Sequence, residues 1–83
     1  MYEIIWTPKA LERLSSLEKQ VANRIAQKVE QAKEMPHHYF EKLVEVEGRR
    51  MRVGDYRVIT DIDDANQKIF VNTIGHRKNV YKR

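Results

Sequence analysis

The hydrophobic positions along this chain change their period once, near residue 40. Before that point residues 1–6 alternate loosely and end in Ile4-Ile5-Trp6, which predicts a short strand. Thr7-Pro8 then has the chemistry of a helix start. Its hydroxyl can cap a free N–H, and proline sits at the first helical position, where a missing N–H costs nothing. Leu11, Leu14 and Leu17 follow at helical spacing. After Glu18-Lys19 a second run places Val21, Ala22, Ile25, Ala26, Val29 and Ala32 on one face, with Asn23, Arg24, Gln27, Lys28, Gln31 and Lys33 opposite. Two amphipathic segments with almost no linker predict a helical hairpin. Met35-Pro36 closes it, because the residue before a proline disfavours the α region.

Beyond residue 40 the spacing is that of strands. Leu43, Val44 and Val46 suggest one, Gly48 punctuates, and Arg50-Met51-Arg52-Val53 alternates strictly. Gly54-Asp55 has tight-turn chemistry, Tyr56 to Ile62 is rich in β-formers, and Asp63, Asp64, Ala65 and Asn66 form a polar turn. Lys68 to Ile74 reads as a further strand, apolar on both faces and therefore interior to the sheet, with Gly75 at its end. The order β–α–α–β–β–β with hairpin-length turns predicts an α+β fold. Its sheet should be mainly antiparallel, of about four strands, with the helices on one face.

Length and composition narrow the class. A chain of 83 residues has room for one domain, residues 1–83. A domain this small buries only about 60–65% of the surface its unfolded chain exposes, so its stability should be modest. The absence of cysteine removes disulfides, thiolate metal sites and thiol nucleophiles together, and fits a reducing compartment. The longest apolar runs, Ile4 to Trp6 and Ile69 to Val71, are too short to span a bilayer, and Met1 to Trp6 lacks the features of a signal peptide. The expectation is a soluble cytoplasmic protein with no membrane partner.

Charge changes the picture more. The net is +4, and the excess lies in the second half, where residues 43–83 hold nine basic and six acidic side chains. Arg49, Arg50, Arg52 and Arg57 fall close together, and His76 to Arg83 carries four Lys or Arg and no acid. Two basic clusters on a small domain suggest a polyanionic partner, nucleic acid before an anionic membrane. The plain alternative is a charge that serves solubility.

In a strand, Arg50 and Arg52 share one face while Met51 and Val53 point to the other. Two guanidinium groups then stand about 7 Å apart on an open face. Arg57 adds a third if the turn pairs the strands in that register. Like charges on one face repel, unless an anion or a partner's carboxylates sit between them. An ordinary solvated basic strand is the alternative. His76, directly after the interior strand, is the histidine placed to act as an acid or base near neutral pH, whereas His37 and His38 read as surface residues. No histidine pair has metal-ligand spacing and the acids are scattered, so neither a metal nor another cofactor is expected. Tyr81 can stack on a base or simply pack the C-terminal segment against the sheet. Gly-rich phosphate loops, nucleophile elbows and paired-carboxylate spacings do not occur.

The run Arg50-Met51-Arg52-Val53-Gly54-Asp55-Tyr56-Arg57-Val58-Ile59, followed by Ile74-Gly75-His76-Arg77-Lys78-Asn79-Val80-Tyr81, strongly resembles the RelE/ParE superfamily of bacterial and archaeal toxins. It looks closest to the RelE branch. The opening strand, the proline-initiated helix and the helical hairpin agree with it, so the resemblance covers nearly the whole chain.

What the resemblance implies is a microbial-RNase-like α+β toxin of a type II toxin–antitoxin system, neutralised by a cognate antitoxin protein. RelE members enter the ribosomal A site and cut mRNA there without a metal: a ribose 2′-OH attacks the adjacent phosphate and the 5′-oxygen leaves. That reaction needs a base, an acid and cations for the charge that develops. By position, Arg50 and Arg52 match family basic residues that activate the nucleophile or bind the phosphate. Arg57 matches the arginine that holds the scissile phosphate. Arg77 matches the one that stabilises the transition state or protonates the leaving group, and Tyr81 a tyrosine that orients the substrate. Two departures stand out. Some cleaving members carry lysine at Arg50 and Arg52, and arginine is a poor general base. The base is then either His76 or replaced by electrostatic assistance. Thr60 stands where an aromatic residue is common, a change that bears on packing more than on chemistry. The ParE branch shares the fold but poisons DNA gyrase by binding, and a catalytically degenerate, antitoxin-bound module is a third reading. Retention of the four basic positions and Tyr81 favours RNA cleavage.

Overall fold

Thr7 ends the first strand and starts the first helix in one step. Its Oγ1 accepts the Ala10 N–H at 3.2 Å and donates to the Val71 carbonyl at 2.9 Å, so the helix start is tied to a distant strand. The computed structural model describes residues 1–43 and 48–76. Its elements are β1 (Glu3–Trp6), α1 (Pro8–Ser15), α2 (Lys19–Gln31), α3 (Pro36–Tyr39), β2 (Glu41–Lys42), β3 (Arg49–Val53), β4 (Tyr56–Asp63) and β5 (Lys68–His76). They form one five-stranded sheet in the order β1-β5-β4-β3-β2, in which β1 runs parallel to β5 and every other pair is antiparallel. This is the α+β, mainly antiparallel fold expected from the sequence.

The helices cover one face of the sheet. Ile25, Val29 and Ala32 of the second helical segment are fully buried against Val58, Ile69, Val71 and Ile74, with Met51 and Val53 completing the layer. Full burial of one such aliphatic side chain is worth about 1.5–3 kcal/mol, so this one layer carries the fold. In α1 the buried residue is Ala10, and Leu11 is 49% exposed despite its place in the leucine series. The tie from Thr7 to β5 turns Ala10 toward the sheet, and its small side chain lets the helix approach. Leu14 and Leu17 pack partly against the core as their spacing predicts.

Three further details differ from the sequence reading. Met35 stays out of the α region before Pro36 as expected, with φ −141° and ψ 69°, but the proline then opens a one-turn helix, closed by the Phe40 N–H on the Pro36 carbonyl at 2.8 Å. The strand expected around Leu43 sits earlier, at Glu41–Lys42, while Val44 and Val46 lie outside the described residues. The last strand runs through Gly75 to His76, because Gly75 pairs with Arg57 and His76 with Tyr56. Among the described residues no helix is long and apolar enough to cross a membrane.

Candidate functional site

The β3–β4 hairpin turns on two residues, Gly54 and Asp55, and Gly54 takes φ +58°, the positive value such a loop favours at its first position. That short loop fixes the register: Arg52 lies directly opposite Arg57, Arg50 opposite Ile59 and Arg49 opposite Thr60. Alternation then sorts the arginines. Arg50, Arg52 and Arg57 share the face turned away from the helices. Arg49 belongs to the helix side, where its Nη1 donates to the Phe40 carbonyl at 3.4 Å. Buried Thr60 lies across from it, with Oγ1 3.5 Å from the Arg49 carbonyl oxygen, a packing position as expected.

Arg52 is exposed and Arg57 half-buried, with Cβ atoms about 4.5–5.5 Å apart as for any directly opposed pair. Arg50 Nη2 lies 3.7 Å from Glu41 Oε2, but a carboxylate 76% exposed to water offsets little, about 0–1 kcal/mol. Arg57 is the unusual member. Its Nε and Nη1 are buried and have no hydrogen-bond partner among the described residues, a state that costs about 1–3 kcal/mol per unsatisfied group. Gly75, opposite it on β5, puts no side chain on this face. Three arginines on one sheet face beside a glycine can hold a phosphate or carboxylate through paired N–H···O bonds. Among the described residues no group of three His, Cys, Asp or Glu side chains is close enough to hold a metal ion.

The other candidates fall elsewhere. His76 is in register with Tyr56 and Val53, on the helix side, and its ring meets Tyr56 edge-on at 5.5 Å. Arg77 and Tyr81 lie outside the described residues. His37 and His38 are exposed, as expected. His37 Nε2 and the Tyr2 hydroxyl each lie 2.7 Å from Asp64 Oδ1, and since a carboxylate only accepts, both must donate. The Tyr2 and His37 bonds hold the Asp64 carboxyl below its ordinary range, and the same contact raises the Tyr2 hydroxyl. This cluster braces the N-terminal strand, α3 and the β4–β5 turn.

Sequence reasoning missed what else shares the arginine face. Ile5, Ile59 and Phe70 are half-buried there, outside the packed core, and Asn72 Nδ2 donates to Asp61 Oδ2 at 2.7 Å. The signal was present in β5, whose apolar residues occupy both faces, but it reads equally as burial on both sides.

The sequence matches the family described as the ParE toxin of type II toxin–antitoxin system, parDE, over residues 4–81. No curated protein matches the chain. Among solved structures it is similar to the RelBE2 toxin–antitoxin complex of Mycobacterium tuberculosis, with TM-score 0.83 and 23% identity over 92% of this chain and 98% of that one. The intact RelBE complex of E. coli gives 0.78 and 20%, over 92% and 96% of the two chains. The archaeal RelE–RelB complex of Pyrococcus horikoshii gives 0.77 and 20%, over 95% and 98%. At these identities the likeness concerns the fold.

Proposed function

The chain belongs to the ParE toxin family of type II toxin–antitoxin systems, within the RelE/ParE superfamily, and on that premise we propose that it is an endoribonuclease cutting mRNA on the ribosome. The observation that carries this reading is Arg57, held partly desolvated against Arg52 with two buried donors that have no partner among the described residues. Donors kept in that state cost stability in the free protein and recover it when they bind an anion of matching geometry, such as a phosphate.

In this reading Arg57 holds the scissile phosphate, while Arg50 and Arg52 neutralise the charge that develops as the 2′-OH attacks. Arg77, just past the end of β5, stabilises the transition state or protonates the 5′-oxygen, and Tyr81 orients the substrate. His76 keeps the end of β5 in place through its ring contact with Tyr56, and attack proceeds by electrostatic assistance without a strong base. The protein acts in the cytoplasm. Its partner is a cognate antitoxin, as the solved RelE structures in complex with RelB support, and that partner's carboxylates occupy the arginine face and block phosphate access. The match to a ParE family favours a second reading, a toxin that binds DNA gyrase and cuts no RNA.

The test is purified toxin with programmed ribosomes, with naked mRNA, and in a gyrase supercoiling assay. Cuts on programmed ribosomes, abolished in Arg77→Ala and retained in His76→Ala, are the expected result. Inhibited gyrase with intact RNA would refute the proposal, and loss of cutting in a folded His76→Ala variant would return the acid–base role to that residue.

A further inference from the structure

Among the described strands, Phe70 is the one aromatic side chain on the arginine face. Its neighbours Ile69 and Val71 are fully buried under the helices, so alternation turns Phe70 the other way, level with Ile5 on β1 and Asp61 on β4. It is half-buried and lies outside the packed core. The Asn72 amide, bonded to Asp61 Oδ2 at 2.7 Å, fixes the carboxylate in orientation and leaves its other oxygen to accept. A flat apolar ring beside a held acceptor is the arrangement by which proteins read an unstacked base: π-face on the ring, Watson–Crick edge on the polar groups.

Charge along the face says which part of a nucleotide goes where. The Arg50–Arg52–Arg57 end suits phosphate. At the other end Glu3, Asp61 and Asp63 outnumber Lys68, which repels phosphate but suits the N–H groups of a base edge. Arg57 and Asp61 are four residues apart on β4, about 13 Å, so the base belongs to a nucleotide neighbouring the one whose phosphate Arg57 holds. We propose that Phe70, Asp61 and Asn72 form a nucleobase subsite for single-stranded RNA. Asp61 selects bases with an amino group on the Watson–Crick edge over uracil. Uracil's one N–H lies between two carbonyl oxygens, which a carboxylate repels. The inference rests on the RNA-cleaving reading above.

The test is the cut map and kinetics on ribosomes programmed with an mRNA randomised at the cleaved codon and its neighbours. Four proteins are compared: wild type, Phe70→Ala, Phe70→Tyr and Asp61→Asn, each with its melting temperature measured. Removing one base–aromatic stack should raise KM by about 5–150-fold with kcat less affected, and Phe70→Tyr should restore it. Asp61→Asn, which presents a donor as well as an acceptor, should level the preference against uracil at one mapped position. Wild type that cuts, with an unchanged map and KM in folded Phe70→Ala and Asp61→Asn, overturns the subsite and leaves the nuclease reading standing. Wild type that cuts no RNA overturns the nuclease reading, and the subsite with it. Weaker antitoxin binding by Phe70→Ala, with cleavage unaltered, makes this a protein-docking face and also overturns the proposal.

Discussion

Replacing Arg57 with methionine should make this protein more stable and less toxic at once. Methionine keeps an unbranched apolar stem in place of the arginine's and removes the charge and all five donors. Two of those donors, Nε and Nη1, are buried without a partner among the described residues. Relieving unsatisfied donors returns about 1–3 kcal/mol per group, and the half-exposure of the residue argues for the low end. Ending the direct opposition of Arg52 adds a few tenths more, about 0.2–1 kcal/mol for a cross-strand pair. A net gain of about 2–3 kcal/mol is expected, and 1 kcal/mol shifts Tm by about 4–8 °C in a domain of this size.

Cleavage should move the other way, since losing one preorganised contact to transition-state charge costs ~10²–10³ in rate. Thermal unfolding and the ribosome cleavage assay on the same preparation read both effects. A short oligoribonucleotide should raise the wild-type Tm, by mass action, and raise that of the methionine variant less. A variant that melts several degrees lower would mean that Arg57 is satisfied within the fold, and wild-type cutting by a folded variant would remove it from the phosphate site.

Thr7→Ala loses both the cap on the Ala10 N–H and the bond to the Val71 carbonyl, and should cost about 1–3 kcal/mol in urea denaturation; a loss within about 0.5 kcal/mol, the ordinary surface range, would refute the tie between α1 and β5. Asp64→Asn should flatten the acid limb of stability against pH. The Asp64 carboxyl is held below its ordinary 3.8, so its contribution is complete above the unfolded value near 3.9 and is lost as pH falls through the lower folded one. Wild type and variant should therefore differ in urea midpoint at pH 7 and converge toward pH 2, and an equal difference at both would refute the bracing role.

What the sequence made legible was whatever short-range geometry controls. Thr7-Pro8 specifies a helix start within four residues, and a two-residue hairpin at Gly54-Asp55 leaves one register, so the opposition of Arg52 and Arg57 follows directly. Leu11 is exposed although it opens a leucine series, because helical spacing does not say which residue of the turn meets the sheet. The parallel pairing of β1 with β5 joins residues more than sixty positions apart, and no local pattern encodes it. His76 is the informative case. Counting by twos from buried Ile69 puts residues 71, 73 and 75 under the helices and His76 among the arginines. The irregularity beside Ile59 and Thr60 lets Asn72 and Thr73 together oppose one residue of β4, which exchanges the faces beyond it. Ile74 becomes the buried residue, Gly75 the neighbour of Arg57, and His76 a partner of Tyr56. One inserted residue, invisible to periodicity, decides which groups share the site.

That exchange also explains how so small a domain tolerates its site. The core residues of the sheet, Met51, Val53, Val58, Ile69, Val71 and Ile74, all come from the helix side, so the opposite face carries little of the folding free energy. Three like charges and two unsatisfied donors cost a few kcal/mol against a total stability that in domains of this kind is only about 5–15 kcal/mol. Moving any of this burden to the helix side would place it among fully buried aliphatic residues, where a charge without a partner costs far more. On the reading proposed above, phosphate oxygens and antitoxin carboxylates relieve the same cost at the same atoms. They are therefore competitors by construction: whatever neutralises the arginine face stabilises the toxin and closes the site in the same contacts.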